Sequence, residues 1–152
     1  MEKTGRDINK KRRYFLGLTN NDNWFVIKNK CVFGINSINK EYLSMKKGDL
    51  FLFYILKKRK IGNILFEVIT KKELKNDLFS GSKQFNNGIL LRPLLKGNTI
   101  KLKKDIINKL SFIQNKVYWG GSLMGRSIIE LKKKDFILFE KILLENNIDD
   151  KN

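Results

Sequence analysis

The pattern of hydrophobic and polar residues predicts a domain built mainly from short strands. The longest apolar run, Leu50 to Leu56, is hydrophobic at every position, as in a strand covered on both faces. Within Ile61 to Ile69, the alternation of Ile64, Phe66 and Val68 predicts a strand with one face toward the core. Similar short apolar runs predict three further strands, at residues 14–19, 31–35 and 89–95.

Helices are predicted at fewer places. The run Asn20 to Asn23 offers caps for a short helix that continues through Trp24 to Lys28. Residues 71–79 are a candidate helical insert, and residues 103–110 fit a short amphipathic helix. The last helix covers about residues 132–145, with its apolar face formed by Phe136, Phe139 and Leu143.

Local signals mark the turns and the irregular strands. The sequence of residues 46–49 predicts a turn before the long apolar strand, and the basic run Lys57 to Lys60 predicts a hairpin tip. Pro93, the one proline, predicts an edge or a bulge in its strand because it lacks a backbone N–H. The segment Ser127 to Glu130 has the spacing of a capping box, but its paired isoleucines fit a short strand equally well. The order favours the α+β class with a curved, largely antiparallel sheet or small barrel.

The length and the ends of the chain predict one folded domain with two polar extensions. Residues 1–13 form a basic arm, residues 14–146 the domain, and residues 147–152 a polar tail. A single cysteine, Cys31, excludes an internal disulfide and a multi-cysteine metal site. The sequence contains no apolar run long enough to span a bilayer and no apolar signal region after Met1, so the expected location is the cytoplasm.

The charge of the chain indicates its class of partner. The formal net charge is +17, and histidine is absent. Basic side chains facing phosphates release counterions, which gives affinity for nucleic acid without base contacts. The absence of histidine removes the commonest general base and a common metal ligand. Because Lys, Asn and Ile are all frequent, an AT-rich genome is an alternative origin for part of this charge.

A set of short motifs adds a family resemblance. In chain order they are Thr19 to Trp24, Val32 to Gly34, Gly48 to Tyr54, Trp119 to Ser122 and Gly125 to Ser127. Their order and spacing over about residues 14–144 resemble the EVE and YTH branch of the PUA-like proteins. The resemblance implies a pseudo-barrel of strands wrapped by helices, with a pocket that accepts a modified base.

The resemblance also implies the residues of that pocket. Phe33 matches the position of the first cage tryptophan of YTH readers, and Asn20 and Asn23 match polar positions that contact the base. The expected pocket comprises Thr19, Asn20, Asn23, Trp24, Val32, Phe33 and Trp119. A second cage wall would come from Phe79 or Phe85, since residues 71–90 contain no tryptophan. The expected phosphate contacts are Lys57, Lys58, Arg59, Lys60 and Arg126.

The expected ligand is a single base in single-stranded or flipped DNA or RNA, because a duplex hides both faces of its bases. N6-methyladenine is the first expectation and a 5-methylcytosine derivative the second. Stacking on an aromatic ring contributes about 1–3 kcal/mol per base, and asparagine side chains supply both donors and acceptors for a base edge. No cofactor, metal or membrane is expected.

Each of these residues also has an alternative role. Trp24 and Phe33 suit a core, and Trp119 beside paired glycines suits packing over a turn. Asn20 and Asn23 suit helix caps, and Arg126 has Glu130 as an alternative partner. A general basic RNA-binding module without base selectivity therefore remains the second interpretation.

An enzymatic alternative depends on the sequence Glu130-Leu131-Lys132. Its acidic-x-Lys spacing is found in metal-dependent nucleases, where carboxylates hold Mg²⁺. The partner carboxylate would have to be Asp49 or Asp77, and neither follows a proline as the nuclease pattern requires. No Gly-rich phosphate loop or zinc spacing is present. We therefore expect a binding protein and not an enzyme.

Overall fold

The computed structural model describes residues 12–35, 40–74, 87–113 and 127–145. These residues form eight strands and four helices. In chain order the elements are β1 (Tyr14–Thr19), α1 (Asn21–Lys30), β2 (Val32–Ile35), α2 (Lys40–Ser44), β3 (Leu50–Ile55), β4 (Lys60–Ile61), β5 (Ile64–Glu73), β6 (Asn87–Lys96), β7 (Ile100–Lys101), α3 (Lys104–Ile107), β8 (Ile128–Leu131) and α4 (Lys133–Leu144).

The strands form one mixed, curved sheet. Its order is β2-β6-β5-β3-β1-β8, and the short strand β4 pairs with both β3 and β7. Only the β1–β3 pair is parallel among the described strands, and the other pairs are antiparallel. This arrangement confirms the predicted α+β class with a curved, mostly antiparallel sheet.

Strand β3 is buried on both faces, which explains its continuous apolar sequence. Phe51 and Phe53 belong to one hydrophobic cluster, whereas Leu52 and Tyr54 belong to a second cluster. Helix α1 covers the first cluster and α4 covers the second, through Trp24 and Ile27 in α1 and Phe136, Phe139 and Leu143 in α4. The predicted apolar face of the last helix is therefore confirmed, and the two helices lie on opposite faces of the sheet.

Helix α1 has the predicted cap at its start and a sharp turn at its end. The Asn20 side-chain oxygen accepts a hydrogen bond from the Asn23 N–H at 2.7 Å, as an N-cap residue does. At the other end, Cys31 has φ +58 and donates its N–H to the Ile27 carbonyl at 2.8 Å. This left-handed residue lets β2 begin directly after the helix.

Strand β6 contains the irregularity that its proline predicts. Leu65 pairs with Leu95 while Phe66 pairs with Pro93, so the register shifts by one residue and Leu94 is bulged. Pro93 also lies beyond residues 87–90, the part of β6 that pairs with β2. Its missing N–H therefore removes no hydrogen bond between β6 and β2.

One predicted element is wrong within the described residues. Lys71, Lys72 and Glu73 do not begin a helix but continue β5 and pair with residues 87–89 of β6. From Ile69 to Glu73 the side chains of β5 are exposed, so the hydrophobic alternation that identifies a strand is missing there. The remainder of that predicted insert lies outside the described residues. The other open choice, at Ser127 to Glu130, is resolved as a strand, β8.

The contacts of the folded domain begin before β1. Arg12 and Arg13, the last two residues of the predicted arm, form ion pairs with Glu67 and Glu130 respectively. Residues 1–11 and 146–152 lie outside the described residues. In the described part of the chain, every helix is too short or too polar to cross a membrane.

Candidate nucleic-acid interface

The three polar residues predicted to edge a base pocket lie together at the junction of β1 and α1. Thr19 is buried and its carbonyl accepts a hydrogen bond from the Leu56 N–H at 2.7 Å. Asn20 is exposed and Asn23 is buried. The capping bond uses the Asn20 side-chain oxygen, so the alternative role of Asn20 as a cap is confirmed. A contact between these residues and a base stays a prediction.

The two predicted pocket walls that the structure describes lie in the core. Phe33 is 4% exposed and its ring meets Phe51 and Phe53 edge-on, with centroids 5.8 and 4.9 Å away. Trp24 is 6% exposed, and its ring centroid lies 6.0 Å from that of Phe53 and 6.3 Å from that of Phe66. Among the described residues, both rings thus pack against Phe53 in the hydrophobic cluster that α1 covers, and they do not line an open slot. The physical reason is that β3 and β5 present phenylalanines on this face of the sheet. Trp24 and Phe33 remove the most apolar surface from water by packing against these rings.

The Trp24 ring also packs against the backbone at the break between β4 and β5. A Cβ placed on Gly62 would lie 2.5 Å from Cζ2 of Trp24 and 2.6 Å from its Cη2. Only a residue without a side chain allows this approach without moving the indole. Val32, another predicted pocket residue, is buried in the same cluster. The predicted walls Trp119, Phe79 and Phe85, together with Arg126, lie outside the described residues.

The basic hairpin predicted at Lys57 to Lys60 is present. Residues 56–59 form an exposed turn between β3 and β4, and Lys57 and Arg59 adopt positive φ values of 71° and 55°. Burial raises the pKa of Tyr54, and the nearby positive charge of Arg59 partly offsets that rise. The tip therefore carries its cations at the end of β3, next to the end of β1.

A lysine-lined cleft, which the sequence did not reveal, lies on the other face of the sheet. We define it as the concavity between β7, α3 and α4, with a volume of about 530 Å³. Lys101, Lys103, Lys109 and Lys141 surround it, and half-buried Ile106, Leu138 and Ile142 contribute its apolar part. The carboxylates of Asp105 and Glu145 also line it, so the lysines outnumber the acids. No local sequence pattern indicates this cleft, because its lysines come from separate elements that only the tertiary fold brings together.

The carboxylate of Glu130 is bound to Arg13. Two parallel hydrogen bonds join them, from Nε at 2.9 Å and from Nη2 at 2.7 Å. Hydrogen bonding to Arg13 lowers the pKa of Glu130, although partial burial opposes the shift. The same bond raises the pKa of Arg13 above its ordinary value. Arg13 is therefore the partner of Glu130 among the described residues, and Arg126, its predicted alternative partner, lies outside them.

The second carboxylate of the nuclease alternative also has a structural role. Asp49 is 3% exposed and accepts hydrogen bonds from the N–H groups of Lys46 at 2.8 Å and Arg13 at 3.1 Å. The bond from Lys46 closes the turn before β3, where Gly48 has φ +96, and the bond from Arg13 joins this turn to the residue before β1. Among the described residues, no group of three His, Cys, Asp or Glu is placed to hold a metal ion. Asp77, the other candidate, lies outside the described residues.

Comparison with solved structures defines the class of fold. The chain is similar to the YTH domain of Pho92, crystallised with m6A, at a TM-score of 0.63 and 11% identity over 90% of this chain and 89% of that one. It is similar to the YTH domain-containing protein mmi1, crystallised with RNA, at 0.61 and 14% identity over 88% and 82%. A protein of Pseudomonas syringae, PSPTO5229, matches at 0.55 and 14% identity over 86% and 99%. The fold is therefore that of the YTH and PUA-like domains.

Comparison with curated proteins defines the family, although no family model matches the chain. A UPF0310 protein of Pyrococcus abyssi is 34% identical over 144 residues, covering 86% of this chain and 99% of the relative. A UPF0310 protein of Pyrococcus horikoshii is 32% identical over 145 residues, with the same coverage of each chain. The chain belongs to the UPF0310 family.

Proposed function

We propose that this chain is a non-catalytic nucleic-acid-binding domain of the EVE type that recognises a modified base. The observation that carries the proposal is the match of almost the whole fold to YTH domains crystallised with m6A and with RNA. The net charge of +17 supports a polyanionic partner. N6-methyladenine is the first ligand to test, and 5-methylcytosine derivatives are the second.

The proposed base site lies at the junction of β1 and α1. Thr19, Asn20 and Asn23 would contact the base edge. Asn23 is buried, and a buried amide left unpaired by the wrong base is a strong source of selectivity. Because Trp24, Phe33 and Val32 are buried in one hydrophobic cluster, we assign them to the layer that supports the site. The stacking walls would then come from Trp119 and from Phe79 or Phe85.

The phosphate contacts of the proposed site begin at the hairpin tip. Lys57 to Lys60 follow β3 directly, and the Leu56 N–H bonds to the carbonyl of Thr19 at 2.7 Å. The cations are thus attached to the same strand end that positions the base-edge residues. Arg126 would supply a further phosphate contact.

A titration with paired oligonucleotides tests this function. Single strands that differ only in one methyl group are titrated at two salt concentrations, with the matching duplex as a further ligand. Burial of one methyl group contributes about 1 kcal/mol, so we expect the modified strand to bind at least about five-fold more tightly. Trp119→Ala should abolish this preference. Equal affinities for the two strands would contradict the proposal.

A general RNA-binding domain without base selectivity is the second candidate. The observation in its favour is that Trp24 and Phe33, two of the predicted walls, are core residues in the described structure. This candidate predicts equal affinities for both strands, each falling steeply as salt rises. A nuclease would instead show Mg²⁺-dependent cleavage that Glu130→Gln abolishes.

A further inference from the structure

We propose that the lysine-lined cleft binds the phosphate backbone of the same nucleic-acid strand, as a second contact region separate from the base site. This inference depends on the proposed function, because it concerns the path of the strand after the recognised base. It assigns a role to Lys101, Lys103, Lys109 and Lys141, which no sequence motif singles out.

The chemistry of the cleft suits a phosphodiester chain. A volume of about 530 Å³ can accommodate a nucleotide-sized group. The four lysines are exposed, so each ammonium can exchange counterions for phosphate oxygens without a large loss of solvation. The half-buried Ile106, Leu138 and Ile142 provide an apolar surface for a sugar or a base face.

The pairing of β4 with β7 places two like charges side by side. Lys60 is directly opposite Lys101, and the neighbouring pair, Ile61 and Ile100, is fully buried. The alternation of the strands therefore turns both lysines to the outside. Like charges directly opposite each other on an antiparallel pair are unfavourable. A phosphate between them would remove that repulsion.

The same pairing connects the cleft to the proposed base site. At one end of the hairpin tip, Leu56 bonds to Thr19, beside Asn20 and Asn23. At the other end, Lys60 adjoins Lys101 of the cleft, and the Leu102 N–H bonds to the Arg59 carbonyl at 3.1 Å. Cations thus continue from the base site, around the tip, to the opposite face of the sheet. An extended series of this kind fits a polymeric anion better than a small one.

The test compares two double variants with equal charge loss. Lys101→Gln with Lys141→Gln removes two cleft lysines, whereas the control Lys30→Gln with Lys72→Gln removes two exposed lysines from α1 and β5. Lys141 and Lys30 are both in the last turn of their helices, so the change near each helix end is matched. Thermal unfolding of each variant checks that it folds. Each variant is then titrated with a single strand of about 12 nucleotides and with a trinucleotide that carries the same recognised base.

We expect the cleft variant to bind the long strand about five- to thirty-fold more weakly, with its salt dependence reduced by about 1.4 in log–log slope. Its affinity for the trinucleotide should stay unchanged, and the control should match the wild type with both ligands. Equal losses in the two variants, or no loss in either, would overturn the inference while leaving the proposed function intact.

Inorganic pyrophosphate is a further ligand in this test, because it is an anion too small to span the two sites. If the cleft variant loses pyrophosphate binding but keeps the long strand, the cleft is a small-anion site and the inference is wrong. If the wild type binds no oligonucleotide at all, both proposals fail.

Discussion

Arg13 and Glu130 are 117 positions apart in the chain, yet they form a two-hydrogen-bond ion pair at the edge where β1 meets β8. The Arg13 guanidinium also donates from Nη1 to the carbonyl and the hydroxyl of Ser44, at 3.1 and 2.7 Å. It lies over the Phe15 ring, 5.1 Å from the centroid. One side chain therefore joins the start of β1 to β8 and to the end of α2.

Arg13→Ala should lower the free energy of unfolding by about 1–2 kcal/mol, since it removes several charge-assisted hydrogen bonds at a half-exposed site. Arg92→Ala is the matched control, because Arg92 also pairs with a glutamate, Glu67, but its side chain is 61% exposed. The control should cost less than about 1 kcal/mol. Urea unfolding of both variants checks this, and equal losses would show that the contacts of Arg13 add nothing beyond a surface pair.

The same ion pair should give part of the stability a dependence on pH. The folded state lowers the pKa of Glu130 through its bond to Arg13, so the folded protein binds fewer protons at this site than the unfolded chain. The contribution is fully present above the ordinary glutamate pKa of about 4.3 and is lost as the pH falls through the lowered value. We expect the stability difference between wild type and Glu130→Gln to shrink between about pH 5 and about pH 2. A constant difference across that range would contradict the assignment.

Gly62→Ala should destabilise the protein through Trp24. The added methyl would lie 2.5 Å from Cζ2 of the indole, and overpacking of this kind costs about 1–3 kcal/mol. Gly48→Ala is a useful contrast, since a Cβ there meets nothing within 4 Å but the backbone has φ +96. Only Gly62→Ala should also shift the tryptophan fluorescence, measured in a Trp119→Phe background. Unchanged emission would mean that the indole is not held in the core as described.

Asp135→Ala should release the segment around Ser111, which follows α3. Asp135 is 1% exposed, and its carboxylate accepts hydrogen bonds from the N–H and the hydroxyl of Ser111. Removing a buried charged acceptor from two donors should cost about 2–4 kcal/mol. Ser111→Ala, which leaves the backbone bond, should cost less. Thermal unfolding of the two variants gives the comparison, and a reversed order would refute this account.

Two substitutions of Asn20 separate its role as a cap from its proposed contact with a base. Asn20→Asp keeps an oxygen that can cap α1, whereas Asn20→Ala loses the cap and about 1 kcal/mol of stability. If the Asn20 amide also donates to the base, Asn20→Asp should weaken binding of the modified strand while leaving the unfolding midpoint unchanged. Asn29→Asp, also on α1 but at its far end, controls for the added negative charge.

The local sequence determined the elements whose residues experience one kind of environment along their whole length. The sequence of β3 is apolar throughout because both faces of the strand are buried. In α4, apolar residues recur at helical spacing because one side of the helix is buried. Asn20 could be identified as a cap, and Pro93 as the site of an irregular strand, because each depends on local backbone chemistry. The continuation of β5 through Glu73 could not be identified, since its exposed residues show no hydrophobic alternation.

The candidate site shows the same division. Charge and motif order indicated a polyanionic partner and drew attention to the junction of β1 and α1. Only the tertiary structure decided that Trp24 and Phe33 pack against Phe53, because burial of an aromatic ring depends on side chains from other strands. It alone brought Lys101 beside Lys60 and formed the cleft. Such contacts between distant residues arise from strand pairing and helix docking, and no local pattern in the chain encodes them.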